Sequence, residues 1–387
     1  MDVDDLLLLY VSQKYQKKNR RCWVHETLQR REELGESHTL IRELSSFEDK
    51  FYSYFRMSQY QFQGILDIVK EDISKSQTNF RNPISARDRL AVCLRYLATG
   101  DSYKTVYLNY RLGKSTVATI IPEVCDTIWK KLQPLYMPIP STDWRKIADG
   151  FQERWQSPNC IGSLDGKHVV IQAPSNSGST FYNYKGGFSI VLMALVDHKY
   201  GFTIIDVGGH GSNSDGGIFA QSALGKAIKN YNLAIPQPRP LPGFSQPIHH
   251  VIVADEAFPL SQNIIRIYNY RLSGARRVVE NSFGILASKW EVYQRRIKLQ
   301  PQNVDKVIKA TCVLHNYIIK TTDPTRHNQA PECMAESNTS GAIQNLQQCG
   351  NQTLREAFLI REAYKDYFMS TTGAVPWQQN VCFGVAQ

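Results

Sequence analysis

The sequence lacks the signatures of several large enzyme classes. None of its apolar runs approaches the roughly 18 residues that a membrane-spanning helix needs. It contains no GxxxxGK(S/T) phosphate loop, no GxSxG nucleophile elbow and no GxGxxG dinucleotide spacing. These absences argue against a P-loop nucleotide hydrolase, an α/β-hydrolase and a Rossmann dehydrogenase.

Paired cysteines are also missing. The eight cysteines are scattered, and no two of them lie within four residues of each other. This spacing excludes a zinc ribbon and a CxxC redox motif, and it argues against a disulfide framework. The first residues, Met1 to Asp5, begin acidic rather than basic, which is wrong for a signal peptide. We therefore expect an intracellular protein with reduced cysteines.

The composition is that of a soluble globular protein with a basic surplus. The 387 residues include 45 Lys and Arg against 35 Asp and Glu, a net charge of +10. A surplus of this size suggests a polyanionic partner such as nucleic acid or an anionic membrane surface. The length predicts two or three domains.

The chain divides into five predicted segments. A charged arm covers residues 1–50, a helical region 51–150 and a mixed α/β domain 155–320. A polar, disordered linker (321–350) and a C-terminal helix and tail (351–387) follow, because the linker is rich in Thr, Asn, Gln and Ser.

A helix-turn-helix pattern lies in the helical region. Ser102 can cap a short helix from Tyr103 to Tyr110, and Gly113 then turns the chain into a longer helix. That second helix opens with Lys114, Ser115 and Thr116, the positions that face the DNA major groove in such motifs. Helical bundles contain the same arrangement without binding DNA, so both interpretations stay open.

From residue 160 the pattern changes to strands. We predict four of them, at Ile161–Gln172, Phe188–Val196, Gly201–Gly208 and His250–Ala254. Helices are predicted at Gly217–Tyr231 and Arg276–Tyr293. Short connections make the first three strands antiparallel, and the whole is a mixed α/β layer fold.

Four carboxylates stand where such a fold would hold them rigidly. They are Asp165 within the first strand, Asp215 after the third, Asp255 at the end of the fourth, and Glu280 in the following helix. Taken singly, Asp215 could cap a helix, Asp255 could lie in a turn and Glu280 could pair with Arg276. Taken together, hard oxygen ligands at strand ends suggest a site for Mg²⁺ or Mn²⁺.

The order of several short segments is more specific than any of them alone. The sequence reads IGSLDGKH at 161–168, YNYKG at 182–186, SIVL at 189–192 and GSNSD at 211–215. It continues with DEAFPL at 255–260, NYRL at 269–272 and RRVVENSFG at 276–284. In this order the sequence resembles PIF/Harbinger transposases and the host nucleases derived from them, whose catalytic part is the DDE superfamily endonuclease domain.

The resemblance implies an RNase H-like catalytic domain over 155–320 that hydrolyses DNA phosphodiester bonds by a DDE two-metal mechanism. Asp165, Asp255 and Glu280 would be catalytic, and the same three residues with Asp215 would bind the divalent cation, Mg²⁺ or Mn²⁺. We expect DNA contacts from the helix-turn-helix residues and from four further basic side chains, Lys167, Lys185, Arg276 and Arg277.

The resemblance also carries expectations about partners. Members of the family depend on a separate Myb-like protein for DNA recognition or nuclear entry, so we expect such a partner, together with DNA, and we keep a homo-oligomer open. We expect the nucleus as the main compartment, with the cytoplasm as a second one, and no membrane association.

One departure from the family pattern leaves a second hypothesis open. The stretch between Asp255 and Glu280 is shorter than the family usually has, and the missing part falls between Ile265 and Tyr268. If the deletion misdirects Glu280, the chain is a catalytically inactive, transposase-derived DNA-binding adaptor. A metal hydrolase that acts on something other than nucleic acid is a third hypothesis, which the basic charge disfavours.

Overall fold

The computed structural model describes residues 24–77, 83–139, 143–213, 215–230, 232–266, 270–322, 343–345 and 355–375. The first part of the predicted arm and nearly all of the predicted linker lie outside the described residues.

The N-terminal region is helical, as predicted. Among the described residues, four short helices come first: α1 (Glu26–Gln29), α2 (Arg31–Leu34), α3 (Leu40–Leu44) and α4 (Glu48–Phe55). Five further helices are α5 (Gln59–Ile73), α6 (Ala86–Thr99), α7 (Tyr103–Asn109), α8 (Lys114–Tyr136) and α9 (Trp144–Trp155). The part of the predicted arm that the structure describes is thus folded, and Ile41 of α3 is buried.

Helices α7 and α8, joined by a short turn, lie where the helix-turn-helix is predicted. The Ser102 side chain caps α7 by accepting a hydrogen bond from the Thr105 amide at 3.2 Å. Gly100 ends α6 with φ of +62°, and a Cβ there would lie 2.9 Å from the Glu291 carbonyl oxygen. A glycine is therefore needed both for the turn and for the close approach of the two backbones.

A mixed sheet forms the centre of the molecule. Its strands are β1 (Cys160–Val170), β2 (Ser189–Val196), β3 (Phe202–His210), β6 (Val251–Ala254) and β7 (Ile264–Arg266), in the order β3-β2-β1-β6-β7. The pairs β1–β2 and β2–β3 are antiparallel, whereas β6 and β7 run parallel to β1. This arrangement confirms the predicted fold class and is consistent with an RNase H-like fold.

Two further strand pairings are present among the described residues. The segment before β6 holds a short hairpin of β4 (Arg239–Pro240) and β5 (Pro247–Ile248). Strand β8 (Ile343–Asn345) pairs antiparallel with Lys167–Val169 of β1, beyond the end of β6.

The remaining helices flank the sheet. They are α10 (Asp215–Gln221), α11 (Ala223–Lys229), α12 (Tyr270–Lys289), α13 (Pro301–Thr321) and α14 (Arg355–Met369), with a 3₁₀ turn at Glu291–Gln294. The single helix predicted at Gly217–Tyr231 is two helices, because Ser222 ends α10 and caps α11 through the Gly225 amide. Helix α12 begins before its predicted start at Arg276, and the 3₁₀ turn follows it within the predicted span.

The apolar core runs without a break from α3 to α14. Helix α13 packs against both α8 and β3, so it joins the helix-turn-helix region to the sheet. Gln61 of α5 adds a polar link, since its amide donates to Thr321 and Thr322 at the end of α13. The predicted domain limits at 150 and 155 fall inside α9, which packs on β1.

Within the described residues, no helix is both long enough and apolar enough to span a membrane.

Candidate active site

The register of two parallel strands brings two of the predicted acids together. Leu164 of β1 pairs with Ala254 of β6. The next residue on each strand is an aspartate, Asp165 on β1 and Asp255 after β6. Because neighbouring strands lie about 4.8 Å apart, the two aspartates are adjacent at the carboxyl end of β6.

Helix α12 lies along the same face of β1. The side chains of Ser163, Asp165 and Lys167 all lie on this face, because every second side chain of a strand points to the same side of the sheet. The Ser163 hydroxyl donates to the backbone carbonyl of Arg276 at 3.2 Å, and the Lys167 ammonium lies 5.7 Å from the centre of the Phe283 ring. Asp165 therefore faces the turn of α12 that carries Arg276 and Glu280.

One nitrogen of Arg276 lies near all three predicted catalytic carboxylates. Its Nη2 atom is 3.1 Å from Glu280 Oε1, 3.5 Å from Asp255 Oδ2 and 3.7 Å from Asp165 Oδ2. The structure thus brings Asp165, Asp255 and Glu280 together despite the short segment between the last two. Two of the simpler alternatives hold as well, since Glu280 does pair with Arg276 and Asp255 does open a turn to Phe258.

Asp165 is the most deeply buried of the three acids. Its side chain is 6% exposed, against 21% for Asp255 and 31% for Glu280. Its Oδ1 accepts a hydrogen bond from the Gly166 amide at 2.8 Å, but its buried Oδ2 has no hydrogen-bond partner among the described residues. Burial raises the pKa of Asp165, and the positive charges of Lys167 and Arg276 oppose that shift.

Lys167 is the second cation of the site. The residue is 9% exposed, and burial lowers its pKa while the charges of Asp165 and Glu280 act in the opposite direction. A lysine so placed neutralises the carboxylates in its ionised form. We predicted it as a DNA contact, and in this structure its ammonium lies inside the site.

A hydrogen-bonded network supports the turn that carries Lys185. His168 Nδ1 is 2.8 Å from the Ser189 hydroxyl, and the Asn183 amide donates to that same hydroxyl at 2.9 Å. The side-chain oxygen Oδ1 of Asn183 accepts hydrogen bonds from the backbone amides of Lys185 and Gly187. Burial, aided by the Lys185 charge, lowers the pKa of His168 to about 4, so this histidine is neutral.

The other predicted DNA contacts lie on the surface. Lys114 and Ser115 are exposed and Thr116 is half-buried at the start of α8, and Lys185 and Arg277 are exposed beside the sheet. Arg276 differs from them, because it is engaged by the carboxylates. Their contacts with DNA stay predictions.

Asp215 is the fourth predicted metal ligand. Asp215 begins α10, and its side chain lies outside the described residues. Among the residues that the structure describes, no group of three Asp, Glu, His or Cys side chains is arranged to hold a metal ion. The carboxylates surround a guanidinium instead.

The central position of Arg276 is what sequence reasoning missed. The four-residue spacing to Glu280 indicates a helical ion pair and nothing more. The register of β1 with β6, which places two further acids at the same guanidinium, is a tertiary feature that a linear pattern does not contain.

Comparison with known proteins agrees with the predicted family. Residues 164–316 match the family described as DDE superfamily endonuclease. That match begins within β1 and ends within α13, so it contains the three carboxylates, Lys167 and Arg276.

Full-length relatives are distant and cover most of the chain. The protein named ALP1-like of Arabidopsis thaliana is 26% identical over 72% of this chain and 73% of its own length. The antagonist of like heterochromatin protein 1, from the same plant, is 25% identical over 70% and 74%. HARBI1 of Rattus norvegicus, whose name describes a candidate nuclease, is 21% identical over 71% and 80%. The chain is therefore a distant homologue of Harbinger-derived proteins, which confirms the predicted resemblance. No solved structure matches it well enough to count as a relative.

Proposed function

We propose that the protein is a divalent-metal-dependent DNA endonuclease, acting in the nucleus, that hydrolyses phosphodiester bonds at the site formed by Asp165, Asp255 and Glu280. The observation that carries this proposal is the convergence of the three carboxylates on a single cation, the Arg276 guanidinium. Three acids from two strands and a helix repel one another, so this cluster is stable only with positive charge beside it.

The donor set fits Mg²⁺ or Mn²⁺. All three side chains offer hard carboxylate oxygens, the ligands that these ions prefer. The buried and unpartnered Oδ2 of Asp165 supplies a coordination position that no described hydrogen bond uses. When bound, the cation would supply the positive charge that a phosphodiester transition state needs.

The chain's own residues would do the remaining work. Asp165, Asp255 and Glu280 hold the cation, and Lys167 keeps their mutual repulsion low from inside the site. Lys185 and Arg277, both exposed beside the sheet, bind DNA phosphates and position the bond to be cut. Ser115 and Thr116 approach the bases from the start of α8, Lys114 beside them binds a DNA phosphate, and a Myb-like partner protein could assist this recognition.

The position of Arg276 among the carboxylates also supports a second function, that of a DNA-binding adaptor. If Arg276 never leaves the carboxylates, the site stays closed to a divalent ion and the protein is a DNA-binding adaptor. Its binding would then be salt-dependent without any cleavage.

The decisive experiment is nicking of a supercoiled plasmid with Mg²⁺ or Mn²⁺, comparing the wild type with Asp165→Asn. We expect nicking by the wild type and none by the variant. Asp305→Asn is the matched control, because burial likewise raises the pKa of Asp305 but this residue lies on α13, outside the carboxylate cluster.

Each outcome separates the two functions. Nicking by the wild type and by Asp305→Asn, but not by Asp165→Asn, supports the endonuclease. DNA binding by all three proteins without nicking supports the adaptor, and nicking that survives in Asp165→Asn removes the proposed site from the reaction.

A further inference from the structure

The Arg276 guanidinium fits Glu280 well, at 3.1 Å, but fits the two aspartates poorly. Good N–H···O hydrogen bonds span about 2.7–3.2 Å, and the contacts of Nη2 with Asp255 and Asp165 are longer, at 3.5 and 3.7 Å. Asp165 Oδ2 and Arg276 Nε are both buried without a hydrogen-bond partner among the described residues. Arg276 thus balances charge here but leaves polar atoms unsatisfied.

The charge balance depends on Arg276. The cluster contains three carboxylates and two cations, Arg276 and Lys167. Without Arg276, three acids would face Lys167 alone, and a like-charge cluster of this kind is costly in a partly buried position. A divalent ion supplies two positive charges and fits the same oxygens at shorter distances.

The structure also allows Arg276 to leave while its backbone stays in place. The Ser163 hydroxyl fixes the Arg276 carbonyl against β1, so α12 need not move. The arginine side chain is 22% exposed and long enough to turn towards solvent. Lys167 is more enclosed and stays under the Phe283 ring.

From these observations we infer that Arg276 is a resident counter-cation of the site, which holds the three carboxylates together before metal binds and is displaced when a divalent cation enters. The inference rests on the proposed metal site. The displaced guanidinium is then available to bind a DNA phosphate next to Arg277, so metal loading and DNA contact would occur together.

Direct metal binding tests the inference without any measurement of cleavage. The full-length protein is titrated with Mn²⁺, and free Mn²⁺ is followed by electron paramagnetic resonance. We expect Arg276→Met to lower the Kd for Mn²⁺ by about tenfold, the factor by which an apparent affinity falls when the competent state is populated about a tenth of the time. Arg277→Met, one residue along the same helix, controls for the loss of a positive charge near the site and should change the Kd far less.

A second variant and a second readout guard against a folding defect. Arg276→Lys keeps the charge on a side chain that can still reach Glu280 one turn away, and its Kd should lie between those of the wild type and Arg276→Met. In EDTA, Arg276→Met should have a lower Tm than the wild type, and Mn²⁺ should raise the Tm of the variant more than that of the wild type.

The inference is overturned if Arg276→Met and Arg276→Lys, both folded, bind Mn²⁺ no more tightly than the wild type. It is equally overturned if neither the wild type nor the variants bind Mn²⁺. Failure of the proposed endonuclease looks different, because tighter Mn²⁺ binding by Arg276→Met without plasmid nicking by any protein would support the counter-cation and reject the nuclease.

Discussion

Ser163 of β1 ties the central strand to the backbone of Arg276 in α12 through a hydrogen bond of 3.2 Å. This contact sets how far along the strand the helix lies, and hence whether Arg276 and Glu280 stand opposite Asp165. It is a direct link between strand and helix at a residue that carries no charge.

Replacing Ser163 with alanine should weaken the site more than it weakens the fold. The loss of one buried hydrogen bond costs about 1 kcal/mol of unfolding free energy, measured by urea denaturation. Because the register of α12 loosens, we also expect weaker Mn²⁺ binding. Ser282→Ala is the matched control, since Ser282 is buried in the same helix but bonds to its own helix at Val278. Equal Mn²⁺ affinities in the two variants would contradict a positioning role for Ser163.

Asp165→Asn should stabilise the metal-free protein while abolishing cleavage. The wild-type carboxylate is buried with one oxygen unpartnered, and burial raises its pKa, which means that the fold disfavours the ionised form. Asparagine has nearly the same shape without the charge, so we expect a gain on the order of 1 kcal/mol near neutral pH. Thermal unfolding in EDTA measures it. A clear loss of stability would show that the carboxylate is held favourably by Arg276 and Lys167.

His315 should make stability fall in mild acid. The residue is 3% exposed, its Nε2 lies 2.9 Å from the Tyr200 carbonyl oxygen, and burial lowers its pKa to about 4 from an ordinary 6.5. A lowered histidine pKa gives full stability above pH 6.5, and this stability is lost as the pH falls towards 4, because the unfolded chain takes up the proton first.

For one such histidine the loss between pH 6.5 and 5 is about 2 kcal/mol. His315→Gln should remove this share of the pH dependence, although His168 and His250, whose pKa values are also lowered to about 4, retain theirs. Urea unfolding from pH 5 to 8 is the measurement. Above pH 7, the unfolding free energy should vary with pH equally in the wild type and in His315→Gln. If the two proteins also show the same pH dependence below pH 6.5, His315 is not buried as a neutral base.

Lys114→Ala should weaken DNA binding by a similar factor on every sequence. An exposed lysine at the start of α8 that neutralises one phosphate contributes about 0.9 to the slope of log K against log salt concentration. Fluorescence anisotropy at several salt concentrations gives that slope. Lys130→Ala is the control, because Lys130 lies in the same helix, away from its start, and pairs with Asp126. If both substitutions reduce the slope of log K against log salt concentration by the same amount, the start of α8 is not the DNA-contacting end.

The sequence predicts the helices and strands of this fold better than it predicts how they pack against one another. The strands β1, β2, β3 and β6 are clear from runs of apolar and β-branched residues, and the cap at Ser102 is clear from local chemistry. Strand β7 was not predicted, because three residues are too few for a periodic pattern. The helix α13 was not predicted either, although its buried face joins α8 to the sheet.

The same division holds within the site. Each carboxylate could be identified from its position at a strand end or on a helix, and the family resemblance supplied their joint role. The contacts of Arg276 with Asp165 and Asp255 could not be identified, because they depend on which residue of β6 lies beside which residue of β1. Lys167, expected to contact DNA, is 9% exposed and lies against the Phe283 ring of α12.

The packing of α8 against α13 has a consequence for where DNA would be cut. Helix α8 has 23 residues, and at 1.5 Å per residue it is about 35 Å long, close to the length of ten base pairs. Among the described residues, α13 packs against both α8 and β3 within one apolar core, which fixes α8 relative to the sheet that carries the carboxylates. The offset between the bases that are read and the bond that is hydrolysed is then a fixed dimension of the molecule, as on a ruler, and every cut would fall at the same number of base pairs from its recognition sequence.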